Sequence, residues 1–262
     1  MSDDKRTRKT GINEVMVALE PVAPYDFFLS TRLFSSAHFS AQDPYREVLR
    51  LKGIPALVTV TATGSVDQPG LCLKVLARHP LTSEEVNAVK MLMGSMLNVS
   101  LELSPFYRTI QNDPILGRIT KHLRGLKPRK TPTVFEALVR AITEQQISLV
   151  AAHHIQERLI QAFGERLSLG GENFFVFPTP ERLARTTEEE LRDCGLSRNK
   201  ASYIIRIARS IADVSYNLEN LVERAAIRYH SVHSNRNTGN RSVDRRDDHV
   251  TGDREIRGIS CG

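Results

Sequence analysis

Along most of the stretch from Thr133 to Ile211, apolar residues return every three or four positions, a period that fits helices packed on one another. Phe135, Leu138, Val139, Ile142 and Leu149 share one face, behind Thr133-Val-Phe-Glu136, which reads as a capping box with Pro132 just before it. Ala151, Ala152, Ile155, Leu159 and Phe163 make a second stripe, ended by Gly164. Thr179-Pro180-Glu181 opens a third helix, and Thr187 with Glu190 caps a fourth. Ser197 then precedes Ala201, Ile204, Ile205, Ala208 and Ile211 in a fifth. Stripes of this kind are core, so the helices form one packed body.

Upstream the period shortens. Glu14–Val22, Ala56–Thr63 and Gly70–Ala77 are rich in β-branched residues and read as strands. Gly64-Ser-Val-Asp-Gln-Pro-Gly70 joins the last two as a hairpin connection. Thr82-Ser-Glu-Glu opens a helix through Val86, Val89, Leu92 and Met93, with Thr82 as N-cap. The expected fold class is α+β. A small antiparallel β-sheet domain occupies residues 1–101, and an all-α domain occupies residues 102–222.

The remainder, residues 223–262, is foreign to both. From Arg224 on it holds eight arginines and no lysine, leucine, phenylalanine or methionine, and it shows neither period. Too little apolar surface is available there to offset ordering entropy, so the reading expects disorder. The formal net charge of +6 points to a polyanionic partner, since neutralised phosphates release counterions. Basic proteins that bind no nucleic acid are common enough to keep that open. No run approaches the roughly 18 to 20 apolar residues of a membrane span. The charged start, Met1-Ser-Asp-Asp-Lys-Arg, lacks the apolar stretch of a secretory signal. Cys72, Cys194 and Cys261 are far apart and form no CxxC pair, so neither disulfides nor a metal site is expected. The expectation is a cytoplasmic monomer.

Several short strings then fall in a familiar order. They are Pro24-Tyr-Asp-Phe27, Leu103-Ser-Pro-Phe-Tyr107 and Asp113-Pro-Ile-Leu-Gly117, then Phe135–Ile142 with Glu144-Gln-Gln-Ile-Ser148. Phe177-Pro-Thr-Pro-Glu-Arg-Leu183 and Gly195-Leu-Ser-Arg-Asn-Lys-Ala201 follow. Each alone is weak; in this order they resemble the helix-hairpin-helix DNA glycosylases, closest to the DNA-3-methyladenine glycosylase II type. The resemblance covers about 200 residues. It implies an enzyme that flips an alkylated purine out of duplex DNA and hydrolyses its N-glycosidic bond, because the reacting carbon is buried in the stack. Its expected partner is double-stranded DNA carrying alkylated bases.

The resemblance also assigns residues. Gln145 and Gln146 match a loop that wedges into the duplex from the minor-groove side, Gln146 at the wedge itself, and Ser148 closes that motif. Arg198 and Lys200 stand in a turn opening a helix, suited to phosphate contacts. Tyr25, Phe27, Phe28 and Phe34 are candidates for a base pocket, since π-faces hold a cationic methylated purine, although core packing suits most of them as well. His153 and His154 are adjacent and have no carboxylate at a useful spacing, which reads as structural.

Two of the family's features are not found in the sequence. One is a Gly-Ile-Gly hairpin whose amides, with a bound monovalent cation, grip a phosphate. The other is a catalytic aspartate in a Pro-Ala-Asp-Asp-like context, whose carboxylate stabilises the oxocarbenium-like sugar. Asp244, Asp247, Asp248 and Asp253 lack that context, so no catalytic residue is assigned and no cofactor is expected. The codons offer a reason. Read one base on from Arg236 to His249, allowed codons spell Glu-Ile-Arg-Gly-Ile-Gly-Arg-Trp-Thr-Ala-Glu-Met-Thr, and the same shift to Gly262 permits an ending in Pro-Ala-Asp. A frame slip between about Asn217 and Asn235 is therefore expected, leaving a damaged copy of a monofunctional glycosylase. The helices around Ile142 and Ile204 would then expose part of their apolar faces. The alternative is a non-catalytic DNA-binding protein whose arginine-rich tail grips phosphates.

Overall fold

Strand β2 (Tyr45–Leu51) turns into β3 (Ile54–Ala62) through Lys52 and Gly53, both at positive φ (45° and 89°). That pair of left-handed residues matches the twist of a two-residue hairpin. In this computed structural model, which describes residues 11–32 and 44–213, β3 also pairs antiparallel with β4 (Leu71–Ala77). Strand β1 (Asn13–Leu19) adds to β4, giving the order β1-β4-β3-β2. The three expected strands form; β2 is an addition, and β1 stops at Leu19, short of Val22.

Alternation along these strands sends Leu49, Val58, Val60, Leu73 and Val75 to one face. There they meet α1 (Phe27–Arg32) and α2 (Ser83–Met96), whose Val89, Met93 and Met96 are buried. Thr82 and Glu85 close a full capping box at the start of α2. Hydrogen bonds from the Thr82 amide and from His79 hold the Glu85 carboxyl down at about 2, against the opposing effect of burial.

Helices α3 (Ser104–Ile110) and α4 (Pro114–His122) lead to α5 (Val134–Glu144) and α6 (Leu149–Phe163). The region expected to be all helix holds one exception: β5 (Glu165–Leu169) and β6 (Glu172–Val176) form a hairpin across Gly170-Gly171, both glycines at positive φ. Leu167 and Leu169 of this hairpin pack with Leu57, Val48 and Leu76 on the second face of the four-stranded sheet. Arg46 pairs with Glu172 and stacks on Phe174, and Arg50 pairs with Glu165. The alternation Leu167/Leu169 was the strand signal, and two adjacent glycines marked the turn.

Helices α7 (Pro180–Ala184), α8 (Glu188–Asp193) and α9 (Arg198–Ala212) complete the described fold. Thr179, Thr187 and Ser197 cap them, with Glu190 completing a box at α8. α9 packs on α5, α7 and α8; Ile204 is fully buried, while Ile142, Ile207 and Ile211 are half-buried. Exposed apolar surface lies instead on α4, at Ile115, Leu116 and Ile119, and at Leu149 and Val150 where α6 begins. Leu149 therefore belongs neither to α5 nor to its buried face. The segment 223–262, the arginine-rich tail with its four aspartates, lies outside the described residues.

The connection from α4 to α5 is fastened to the sheet domain by a lysine. Lys127 is fully buried, with its ammonium donating to the Val22 carbonyl at 2.7 Å and to Val99 at 3.3 Å, 5.2 Å from the centre of the Tyr25 ring. Among the described residues no carboxylate pairs with it, and burial pulls its pKa down to about 8. Between that value and the ordinary lysine value the unfolded chain holds a proton that the folded chain has released, so raising the pH favours folding. Stability measured by urea unfolding should therefore rise between pH 8 and 10, by on the order of 2 kcal/mol relative to Lys127→Met. Parallel pH profiles for the two chains would show that the ammonium is not desolvated.

Candidate nucleic-acid interface

Helix α5 ends at Glu144 and α6 begins at Leu149, leaving a four-residue connection, Gln145-Gln-Ile-Ser148, on the surface. Gln145 leaves the helix with extended ψ (130°), and Gln146 has φ +58°, a left-handed conformation that a non-glycine residue adopts at a cost. Ser148 then caps α6, its hydroxyl accepting from the Ala151 amide at 3.2 Å. The side chains of Gln145 and Gln146 are exposed and make no hydrogen bond among the described residues. Two amides thus stand off a short, strongly turned loop.

Beneath the loop lies a polar chain that the sequence reading missed. Arg140 places two nitrogens on one carboxylate oxygen of Glu136, at 2.7 and 2.8 Å. Its third nitrogen donates to Gln156 on α6 at 2.7 Å, and the Gln156 amide donates to the Glu144 carboxylate at 3.1 Å. The Arg140 guanidinium also lies over the Phe177 ring, 5.6 Å from its centre. Burial pushes the Glu136 carboxyl up to about 7 against the opposing pull of Arg140. Because Glu136 turns to Arg140, the box expected at Thr133 is half made: Thr133 accepts from the Glu136 amide only. The signal was present as a glutamine in the buried stripe Ala152, Gln156, Leu159, Phe163, where a polar group needs a partner.

The N-terminus of α9 comes to the same place. Gly195, at φ +102°, sits where a Cβ would meet the Arg158 guanidinium at 2.5 Å, and the chain then turns to Ser197, the N-cap. Arg198 is exposed at the first position of α9 and makes no hydrogen bond or ion pair among the described residues. Lys200 is half-buried, and its ammonium donates to the carbonyls of Gln145 at 2.7 Å and Thr143 at 3.0 Å. Lys200 thus brings the start of α9 against the loop that carries Gln145, Gln146 and Ser148, with Arg198 two residues before it in the chain.

Two of the aromatics expected to line a base pocket do not reach the surface. Tyr25 and Phe27 are buried in the core of the sheet domain, Phe27 edge-on to Tyr45. Burial raises the Tyr25 phenol well above its ordinary value. Phe28 is 54% exposed, packed edge-on to Phe27, and Phe34 lies outside the described residues. Among the described residues no cluster of three His, Cys, Asp or Glu side chains is placed to hold a metal, and no helix is long and apolar enough to cross a membrane. The stretch downstream of α9, where the family's hairpin and catalytic aspartate would stand, lies outside the described residues.

The Glu136–Arg140 pair makes a direct prediction. Arg140→Met leaves a buried carboxylate without its partner and should destabilise the chain by about 3 kcal/mol at pH 8. The loss should shrink towards pH 5, where Glu136 takes up a proton instead. Guanidinium unfolding at both pH values measures this, and a loss independent of pH would show that the pair is not desolvated.

The family profile described as the HhH-GPD superfamily of base excision DNA repair proteins matches residues 139–261, from within α5 through the stretch beyond α9. A DNA-3-methyladenine glycosylase of Bacillus subtilis is 35% identical over 122 residues, 47% of this chain and 40% of that protein. DNA-3-methyladenine glycosylase 2 of Escherichia coli is 28% identical over 204 residues, 74% of this chain and 67% of that protein. Among solved structures, the 3-methyladenine DNA glycosylase of Archaeoglobus fulgidus superposes with a TM-score of 0.64 at 24% identity, over 73% of this chain and 66% of that one. The chain thus matches under half to about two thirds of the length of these relatives.

Proposed function

We propose that this chain, a relative of the helix-hairpin-helix base-excision repair proteins, is built to excise alkylated purines from duplex DNA as a monofunctional glycosylase. The observation that carries this reading is the exposed Gln145-Gln146 step, turned outward on a loop held from below and flanked by Arg198. A flipped nucleotide leaves a gap in the stack that something has to fill. The Gln146 amide has the size and the hydrogen-bonding groups to occupy it and meet the orphaned base. Arg198 and the free amides at the start of α9 offer phosphate contacts that fix the register of the duplex.

The remaining chemistry belongs to a carboxylate that stabilises the sugar cation as the bond breaks. Neither Gly-Ile-Gly nor Pro-Ala-Asp occurs in the sequence. The shifted codons after Asn235 supply the first string in full, with tryptophan where bifunctional relatives carry a Schiff-base lysine. On this reading the segment 223–262 is translated out of frame, and the chain as it stands binds damaged DNA without cleaving the glycosidic bond.

Sequencing of the gene from the codon of Asn217 onward should find one base gained or lost. The corrected protein should convert N-methylpurine DNA to alkali-labile abasic sites, and the chain as it stands should produce none above background. A corrected protein that releases no methylated purine, while still binding duplex DNA, would replace this reading with that of a non-catalytic DNA-binding protein.

A further inference from the structure

We infer that Lys200 is a positioning residue that sets the wedge loop from behind, and that its charge is engaged by helix α5 rather than by a DNA phosphate. The inference rests on the wedge reading for its consequence in DNA binding, but its structural half stands without it.

The last carbonyls of a helix have no partner within the helix and carry the negative end of its dipole. At the end of α5 the ammonium of Lys200 takes two of them, those of Thr143 and Gln145, at 3.0 and 2.7 Å. This leaves the lysine with at most one free N–H for any other acceptor. The two carbonyls bracket the point where the chain leaves the helix, so the contact fixes the peptide planes that launch Gln146. Gln146 at φ +58° persists only where its surroundings over-determine it. Three further ties do so: the buried Thr143 hydroxyl on the Val139 carbonyl at 2.8 Å, Gln156 on the Glu144 carboxylate, and Ser148 capping α6. Of these ties, Lys200 is the one that comes from outside α5 and α6. It couples the wedge loop to α9, whose own start is set by the Ser197 cap, with the Lys200 amide donating to Ser197 Oγ at 3.4 Å. The loop is therefore held in its turned form before DNA arrives, and the adjacent Arg198 is left free for phosphate.

Hydrogen exchange on the free protein tests the structural half. Lys200→Met should speed exchange of the amides from Thr143 to Ile147 by at least tenfold, with the four-stranded sheet unchanged, and Lys200→Arg should stay within about threefold of the original. Unchanged exchange in Lys200→Met would overturn the inference. Binding to a duplex with 2-aminopurine opposite a tetrahydrofuran site tests the rest. Arg198→Ala should lower the slope of log K against log salt by about one phosphate's worth, roughly 0.9. Lys200→Met should leave the slope as it is and cut the fluorescence rise at saturation several-fold. A slope lowered by that amount, with full fluorescence, would make Lys200 a phosphate contact and overturn the inference. If the original chain itself gives no rise, the wedge reading fails, while the exchange experiment still decides what Lys200 holds.

Discussion

A buried carboxylate has to be paired, and the pairing of Glu136 sets the geometry on which the candidate interface depends. Desolvation alone would neutralise it or expel it from the core. Arg140, one turn further along α5, satisfies it with two nitrogens and has a third left over. The guanidinium fork is rigid, so the third nitrogen points in a direction set by the first two. It meets Gln156, and Gln156 turns back to Glu144 at the end of α5. One charge buried in the first turn of a helix thus fixes the approach of a second helix and the place where the first one stops. The surface loop between them inherits that precision, and the Lys200 ammonium on the Gln145 carbonyl adds to it.

The same economy joins the helical part to the sheet. A four-stranded antiparallel sheet buries one face against α1 and α2, and its other face is covered by the β5–β6 hairpin that follows α6. Apolar residues at the centre of that contact are ringed by ion pairs, Arg46–Glu172 and Arg50–Glu165. Exposed pairs add little energy, yet they fix register where the apolar patch is small. Lys127 ties the opposite side, using carbonyls in place of a counter-ion. The loop that ends α5 is therefore carried on a body braced at two separate points.

Much of this was legible in the sequence. The N-caps at Thr82, Thr179, Thr187 and Ser197 are short-range devices, readable from four residues each, and all form. Three strands and the helical stripes were likewise set by periods of two and 3.6. What escaped was non-local. Strand β2, with Glu47 and Arg50 facing half outward, gives a weak alternation that its pairing with β3 overrides. Nothing near Lys200 in the chain says that its ammonium meets carbonyls 55 and 57 residues earlier. A lysine in a turn before a basic helix reads as a phosphate ligand because local charge is all that the sequence offers. Tyr25 and Phe27, candidates for a base pocket as well as for the core, are buried in the sheet domain's core.

The exposed apolar residues are the last clue and follow a pattern. Helix α4 buries none of its side chains among the described residues, although Ile115, Leu116 and Ile119 share one side of it. Leu149 and Val150, at the start of α6, follow the 145–148 loop. By contrast the face of α9 around Ile204 is closed by α5, α7 and α8. Solitary exposed apolar residues are ordinary, but grouped ones mark a surface made to be covered. Leu149 and Val150 follow directly on the loop that carries Gln146. The family profile continues through residue 261, well past the end of α9. Those bare faces are the apolar surface that the described helices leave uncovered, in contrast to the closed face of α9.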